Sequence, residues 1–465
     1  MKLYRYGRRK EIHINMSERK VRVIQTSQDS SDRLTEKEAI VLRNDAKGIE
    51  NQLINIYDDV KYQEIIGFGG AITEASAITA YKLGEANRNK ILEAYFDADK
   101  GIGYNVVRTH ISSCDFSLGN YDYVQDGDEK LETFDISRDK DKIIPYIQGA
   151  RDLVGQDFTF YASPWSPPPF MKTNGKKNNG GQLKPEFRDA WARYYLKFVE
   201  AYEAEGIPVW GLTVQNEAKA VQPWDSCIYS AEEEKDFVRD YLGPKLWEAG
   251  RKDIRLMIWD HNKERVYDRA KVAYEDAEAS PYIWGIGFHW YSGDHFDALS
   301  VTHDRYPNKG LIFTEGCHEG GVQLGSWKSG ERYAHDIIGN LNNWMQAWTD
   351  WNIVLDELGG PNHVENFCDA PIIADTKNDS LTFQSSYYYI GHFSKYIRPG
   401  AVRVGSSKYT EQLATTAFKN TDGTIAVVVL NRTDAEVPYI LRNRDQVAET
   451  LIAAHSIQTL LFPAE

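Results

Sequence analysis

The stretch WGLTVQNEA, Trp210 to Ala218, opens as a strand and ends in polar chemistry. Val209, Trp210, Leu212 and Val214 form an apolar, β-favouring run that stops abruptly at Asn216 and Glu217. A parallel strand buried on both faces reads as such a run, and in a (β/α)8 barrel its C-terminal end opens onto the active face. The pattern recurs in GLIFTEG, residues 310–316, where Leu311, Ile312 and Phe313 lead to Glu315. Two glutamates at the ends of separate strands bring one proton donor and one anion to the same mouth.

Six further apolar runs complete a set of eight: GFGG from Gly67, then 106–111, 158–164, 254–260, 283–291 and 347–354. Helical periodicity fills the intervals, over residues 76–96, 138–154, 186–205, 231–249, 265–279 and 331–346. Ser230 followed by Glu233 predicts a capping box, and Gly250 a C-terminal stop for the same helix. Eight such units over about 330 residues fit an α/β fold of the (β/α)8 TIM-barrel type, which spans roughly 200 to 400 residues.

Outside the barrel the texture is all β. Residues 20–27 and 52–58 predict strands before it. After Arg398, EQLATTAF, a turn at Asn420–Gly423 and TIAVVVL predict a hairpin, with EVPYIL and SIQTLLF as further strands. Neither flank has enough strands to cover its own faces, so the two are expected to build one side β-sandwich together. The expected division is residues 1–66 and 398–465 for the sandwich and 67–397 for the catalytic barrel.

The chain has 465 residues, 42% hydrophobic and 26% charged, the composition of a folded protein with a large core. A formal charge of −14 argues against nucleic acid or an anionic membrane as the main partner. The N-terminal basic cluster (Arg5, Arg8, Arg9, Lys10) is not followed by an apolar stretch of signal-peptide length. The longest apolar run, 425–430, is too short to span a bilayer, so no integral membrane segment is expected. Cys114, Cys227, Cys317 and Cys368 lack metal-like spacing and predict free thiols, hence a cytoplasmic location.

The strand ends carry the polar chemistry: Arg108, His110 and then Asp115; Trp165; Asn216 and Glu217; Asp260 and His261; His289, Trp290 and Tyr291; Glu315; Asp350 and Trp351. Any one of these alone is more often a capping or rim residue than a catalyst. Together they suit glycoside hydrolysis, which needs a carboxylic acid and a carboxylate across one bond, and the 12 Trp and 28 Tyr suit stacking on sugar rings. No Cys/His group has zinc spacing, no glycine loop is a P-loop, and GFGGAITE lacks the dinucleotide fingerprint, so no metal or cofactor is expected.

The motifs GFGGAITEA, SCDFSLGNY (113–121), ASPWSPPPFMKTNG (162–175), TVQNE, FHWY, TEGC, WTDWN, GGPNHVENF (359–367), APIIAD and GHFSKYIRPGA (391–401) resemble glycoside hydrolase family 30, and within it the glucosylceramidase branch. The resemblance runs in order from about Gly67 to Ala401, and the flanking strands fit that family's side β-sandwich. It implies that Glu217 is the general acid/base and Glu315 the nucleophile of a retaining mechanism, with carboxyls about 5 Å apart. On that assignment the acid's pKa is expected to be raised, and Arg108 to keep the nucleophile anionic. Tyr291 is expected on the nucleophile and Asn216 on the sugar 2-hydroxyl. Asp115, Trp165, His289, Trp351 and Asn366 complete the expected substrate-binding set.

The implied activity is exo-β-glycosidase, most readily β-glucosidase or glucosylceramidase, on a small β-glycoside, a glycolipid or an oligosaccharide. The alternatives are an endo-β-1,6-glucanase or another family 30 β-glycosidase acting on xylose, fucose or quinovose, and, in a different class, an inactive sugar-binding module. Trp224 and Tyr229 are candidates for the aglycone side. One departure stands out: Ala218 follows the acid/base where the family usually has Pro, which should loosen that turn slightly.

Overall fold

Eight parallel strands close into a barrel: Gly67–Ala71, Val106–Ile111, Thr159–Pro164, Gly211–Thr213, Arg255–Asn262, Ile283–His289, Gly310–Glu315 and Ala347–Asn352. Each pairs with its sequence neighbours, and the eighth returns to the first, Ala347 opposite Gly67. The computed structural model describes residues 19–464; the basic cluster at Arg5–Lys10 lies outside them. The glycines of the first strand are there for contact. A Cβ on Gly69 would sit 1.7 Å from the Val106 carbonyl oxygen. Inside the barrel Val106, Tyr161, Met257, Ile312 and Ala347 form a small apolar plug, all buried.

Several expected elements differ in form, among them the helix expected over 138–154, which breaks into Ser137–Asp141 and Ile143–Val154. The fourth strand was expected over 209–217 and is only Gly211–Thr213. Beyond it the backbone is shared between both neighbours: Val214 N–H donates to Met257 O at 2.9 Å, Asn216 to Pro164 O and Glu217 to Asp260 O, both at 2.8 Å. The helix expected over 76–96 breaks into Glu74–Lys82 and Glu85–Phe96 at Gly84, whose N–H is held by Asp379 at 2.9 Å. The helix over 231–249 contains a π-turn at Val238–Leu242, which ends two residues before Pro244. Proline lacks an N–H and clashes with the carbonyl four residues back, and a widened turn relieves both. Periodicity reports none of these breaks, because the apolar residues on either side stay on one face.

The flanking segments build a single nine-stranded sheet. Arg19–Ser27, Thr35–Asn44 and Leu53–Glu64 join Val402–Lys408, Leu413–Lys419, Thr424–Asn431, Val437–Asn443, Gln446–Ile452 and Ser456–Pro463. Arg19–Ser27 pairs with Ser456–Pro463, so the sheet closes on itself and leaves no free edge. Its interior is lined by Val21, Ile54, Val427, Val429, Leu441 and Leu460. Thr35–Asn44, mostly exposed, carries no apolar alternation and was not expected as a strand. The Gly423 turn is present, with φ 85°. All four cysteines are buried and unpaired. No helix among the described residues is long and apolar enough to cross a membrane.

Candidate active site

At the C-terminal mouth of the barrel one guanidinium organises three carboxyl or amide groups. Arg108, fully buried on the second strand, donates from Nη1 to Glu315 Oε2 at 2.7 Å and from Nη2 to Asn216 Oδ1 at 2.8 Å and Asp260 Oδ2 at 3.0 Å. Its Nε donates to Ser163 Oγ at 3.2 Å, and the faces of Trp165 and Trp351 lie 4.9 and 5.4 Å from Cζ. Burial opposes the charge, but Asp260 and Glu315 outweigh it and hold the guanidinium more firmly protonated than usual. Burial opposes the Asp260 charge too; Arg108, with His289, holds that carboxyl far below the ordinary range. Asp260 Oδ2 also accepts from Ser163 and Thr213.

Glu315 is capped on its other oxygen. The Tyr291 hydroxyl donates to Oε1 at 3.0 Å, and burial pushes that phenol's pKa well up, so it stays a donor. Glu217 sits across the mouth with φ 52°, in the left-handed region that costs a non-glycine residue about 1–3 kcal/mol. Trp259 and Asp260, the latter accepting the Glu217 N–H on its carbonyl, share this feature with φ 71° and 48°. Ala218 is fully buried, and its carbonyl accepts the Tyr229 N–H at 2.8 Å.

Two imidazoles converge on one oxygen of Glu217. His289 Nδ1 lies 3.3 Å from Oε1, and His261 Nδ1 3.4 Å from the same atom. His289 Nε2 is 2.9 Å from Asp260 Oδ1, an anionic acceptor, so that nitrogen carries a hydrogen. His289 Nδ1 is also 3.9 Å from Glu315 Oε1, which places a single nitrogen between the two glutamates. Burial disfavours its charge, yet the Glu315 field and the bonds to Asp260 and Glu217 raise its pKa to about 9. The expected rise in the Glu217 pKa is therefore corrected. Burial does push it up, but the two imidazoles at Oε1, His261 and His289, outweigh burial and hold the carboxyl well below its ordinary range.

The cavity has a volume of about 220 Å³. Asp115, Trp165, Asn216, Trp351 and Asn366 line it with both glutamates and Tyr291. Trp165 and Trp351 stack at 5.2 Å and 18°, and Asn362 donates to Asp115 Oδ2 at 3.1 Å. Burial, reinforced by Glu315, pushes the Asp115 pKa up to about 8. His289, expected among the substrate contacts, is fully buried behind Glu217 and does not line the cavity. Tyr229 is also turned away, at 3% exposure, whereas Trp224 does line the cavity. His110, Trp290 and Asp350 serve the scaffold. His110 Nε2 accepts the Glu74 N–H, Trp290 Nε1 donates to Cys317 O, and Asp350 accepts from Tyr333.

Gln222, Asn262, Cys317, Glu319 and Cys368 line the cavity without having been singled out. Asn262 ends the fifth strand, one residue past His261, and the other four lie in loops whose sequence carries no periodic signal. His261 does have one, its place beside Asp260 at a strand end.

The chain matches the model of the glycosyl hydrolase family 30 TIM-barrel domain over residues 65–397 and that of the family 30 beta sandwich domain over 400–460. It is 37% identical over 431 residues to a lysosomal acid glucosylceramidase of Mus musculus, covering 88% of this chain and 83% of that protein. The crystal structure of SrfJ from Salmonella typhimurium superposes with a TM-score of 0.92 at 38% identity, covering 96% and 100% of the two chains. The endo-beta1,6-glucanase BT3312 superposes with a TM-score of 0.84 at 28% identity, covering 96% and 99%.

Proposed function

Because the chain belongs to glycosyl hydrolase family 30 and is a glycoside hydrolase, we propose that it is a retaining, exo-acting β-glycosidase of glucosylceramidase type that removes a terminal β-linked glucose. The observation that carries this reading is the asymmetric support of the two glutamates. Glu315 receives a cationic donor on one oxygen and a phenol on the other, as a nucleophile that must stay anionic requires. Glu217 has both histidines on Oε1, leaving Oε2 for the glycosidic oxygen.

Glu315 attacks the anomeric carbon while Glu217 passes its proton to the departing oxygen, giving a glycosyl ester and a free alcohol. Glu217, now anionic, then takes a proton from water as the water attacks the ester, and the configuration is retained. The Glu217–His289 pair holds the proton this requires. A bound sugar excludes water, an ion pair is penalised by that loss, and the proton then favours the carboxyl. The cavity is smaller than the roughly 300–1,000 Å³ of a drug-sized site, which supports one sugar ring closed off by Asp115 and Trp165. Four unpaired thiols support action in a reducing, cytoplasmic compartment.

A second reading, an endo-β-1,6-glucanase, draws support from the likeness to BT3312 and from the polar rim of Gln222, Asn262 and Glu319. Aryl β-glycosides assayed in methanol–water decide between them. The proposal expects β-glucoside cleavage with methyl β-glucoside as the trapped product. E315A and E217A are expected to lose at least about 10³-fold in activity, with azide restoring E217A as a β-glycosyl azide. An α-methyl product overturns the retaining assignment, and release of oligosaccharides from β-1,6-glucan alone favours the endo reading.

A further inference from the structure

Of the two histidines on Glu217, His289 is locked. Its ring is fully buried and its second nitrogen is bound to Asp260. His261 is different in every respect. It lines the cavity, its side chain is 15% exposed, and its Nδ1 is buried with no hydrogen-bond partner, aimed at Glu217 Oε1 from 3.4 Å. The ring is held by packing: Trp259 lies 5.0 Å away between centroids and His289 6.2 Å away, edge-on.

We propose that His261 is a second positioning residue for the acid/base: it holds Glu217 Oε1 from the cavity side and keeps the proton off the carboxyl, so that it lowers the alkaline limit of activity. This rests on the assignment of Glu217 as acid/base. The charged groups around the pair are few and each has a place. His289 faces Glu217 from the sixth strand, and Glu315 lies beyond it. Glu319, from the loop after the seventh strand, lies within the field of both glutamates. The Arg269 guanidinium lies over the Trp259 ring, 4.4 Å from its centroid. Of these groups only His261 both approaches Glu217 within 4 Å and lines the cavity.

His261, 3.4 Å from Oε1, pushes the Glu217 pKa down. Removing it lets Glu217 keep its proton to higher pH. The test is the pH profile of kcat/KM for wild type, H261A and the near-isosteric H261N, with two aryl β-glycosides. A phenyl glycoside needs the leaving oxygen protonated, and a 2,4-dinitrophenyl glycoside does not. On the phenyl substrate both variants should move the alkaline limb upward by about one pH unit. On the dinitrophenyl substrate the three profiles should superpose in that limb, which a merely structural loss would not produce.

Unmoved or acid-shifted limbs in both variants overturn the inference. E217Q separates it from the underlying assignment. If E217Q keeps a wild-type alkaline limb on the phenyl substrate, Glu217 is not the acid/base and both fall; if E217Q loses it and the His261 variants do not move, this inference alone falls. The unfolding midpoints of H261A and H261N, measured alongside, confirm that folded protein is being compared.

Discussion

Asp115 shows at single-residue scale how binding a polar ligand costs stability. Its carboxyl is 4% exposed, with Asn362 and Asn366 as the donors to Oδ2. A carboxyl raised to about 8 from an ordinary 3.8 keeps its proton in the folded chain when the unfolded chain has lost it. The folded state is thus favoured below about pH 4, and that advantage is lost progressively as pH rises to about 8. Asn has no such loss and still offers an acceptor to both neighbours. D115N is expected to melt higher than wild type by an amount that grows between pH 5 and 8, on the order of 1–3 kcal/mol at the upper end, while kcat/KM falls by at least about 100-fold. Thermal melts across that range check the sign; a gap that shrinks toward pH 8 would contradict it.

At the scale of elements, the loop carrying Glu217 and Trp224 ends at the helix beginning Ala231, and the cap of that helix anchors it. Ser230 Oγ accepts the Glu233 N–H at 3.1 Å, and Glu233 Oε2 accepts the Ser230 N–H at 2.8 Å. Both halves of the box could be read from Ser230 and Glu233 alone, since their spacing sets the geometry. The π-turn seven residues on could not, because Pro244 signals a break without saying what form it takes. S230A is expected to lower stability by about 1 kcal/mol with KM and kcat unchanged, the cap lying on the exposed side of the loop. Urea titration with parallel steady-state kinetics measures this; a raised KM would show that the cap also positions the cavity wall.

The barrel and the side sheet behave as one body because their cores merge. Ile24, Phe418, Val428, Leu430 and Ile457 of the sheet pack in the same cluster as the barrel helices. At the centre of the seam is His392, on the helix Ser385–Ser394. Its Nδ1 lies 2.9 Å from Thr459 Oγ1 and its Nε2 2.9 Å from Thr26 Oγ1, so one buried ring ties together both ends of the chain. Burial holds that ring neutral, its pKa down to about 3. Below about pH 6.5 the unfolded chain therefore takes up a proton that the folded chain refuses. Stability from this group is whole above that pH and falls by about 1.4 kcal/mol per unit as pH drops toward 3. H392N should be less stable than wild type at pH 7.5 but lose less between pH 7 and 5, so the two curves converge. Denaturation midpoints at three pH values test it, and parallel curves would remove His392 from the account.

Much of this was determined by the sequence itself. Buried parallel strands must be apolar throughout, so the eight runs and the polar residues at their ends could be read directly, and Glu217, Glu315, Arg108, Asp115, Trp165, Tyr291 and Trp351 with them. The extent of the fourth strand, the breaks in the helices and the closure of the side sheet depend on partners far along the chain, which local pattern does not encode. So does the charge on Glu217. Two histidines from the fifth and sixth strands meet on a single carboxylate oxygen, and only the folded barrel brings them there; at 3.3 and 3.4 Å they outweigh the effect of burial.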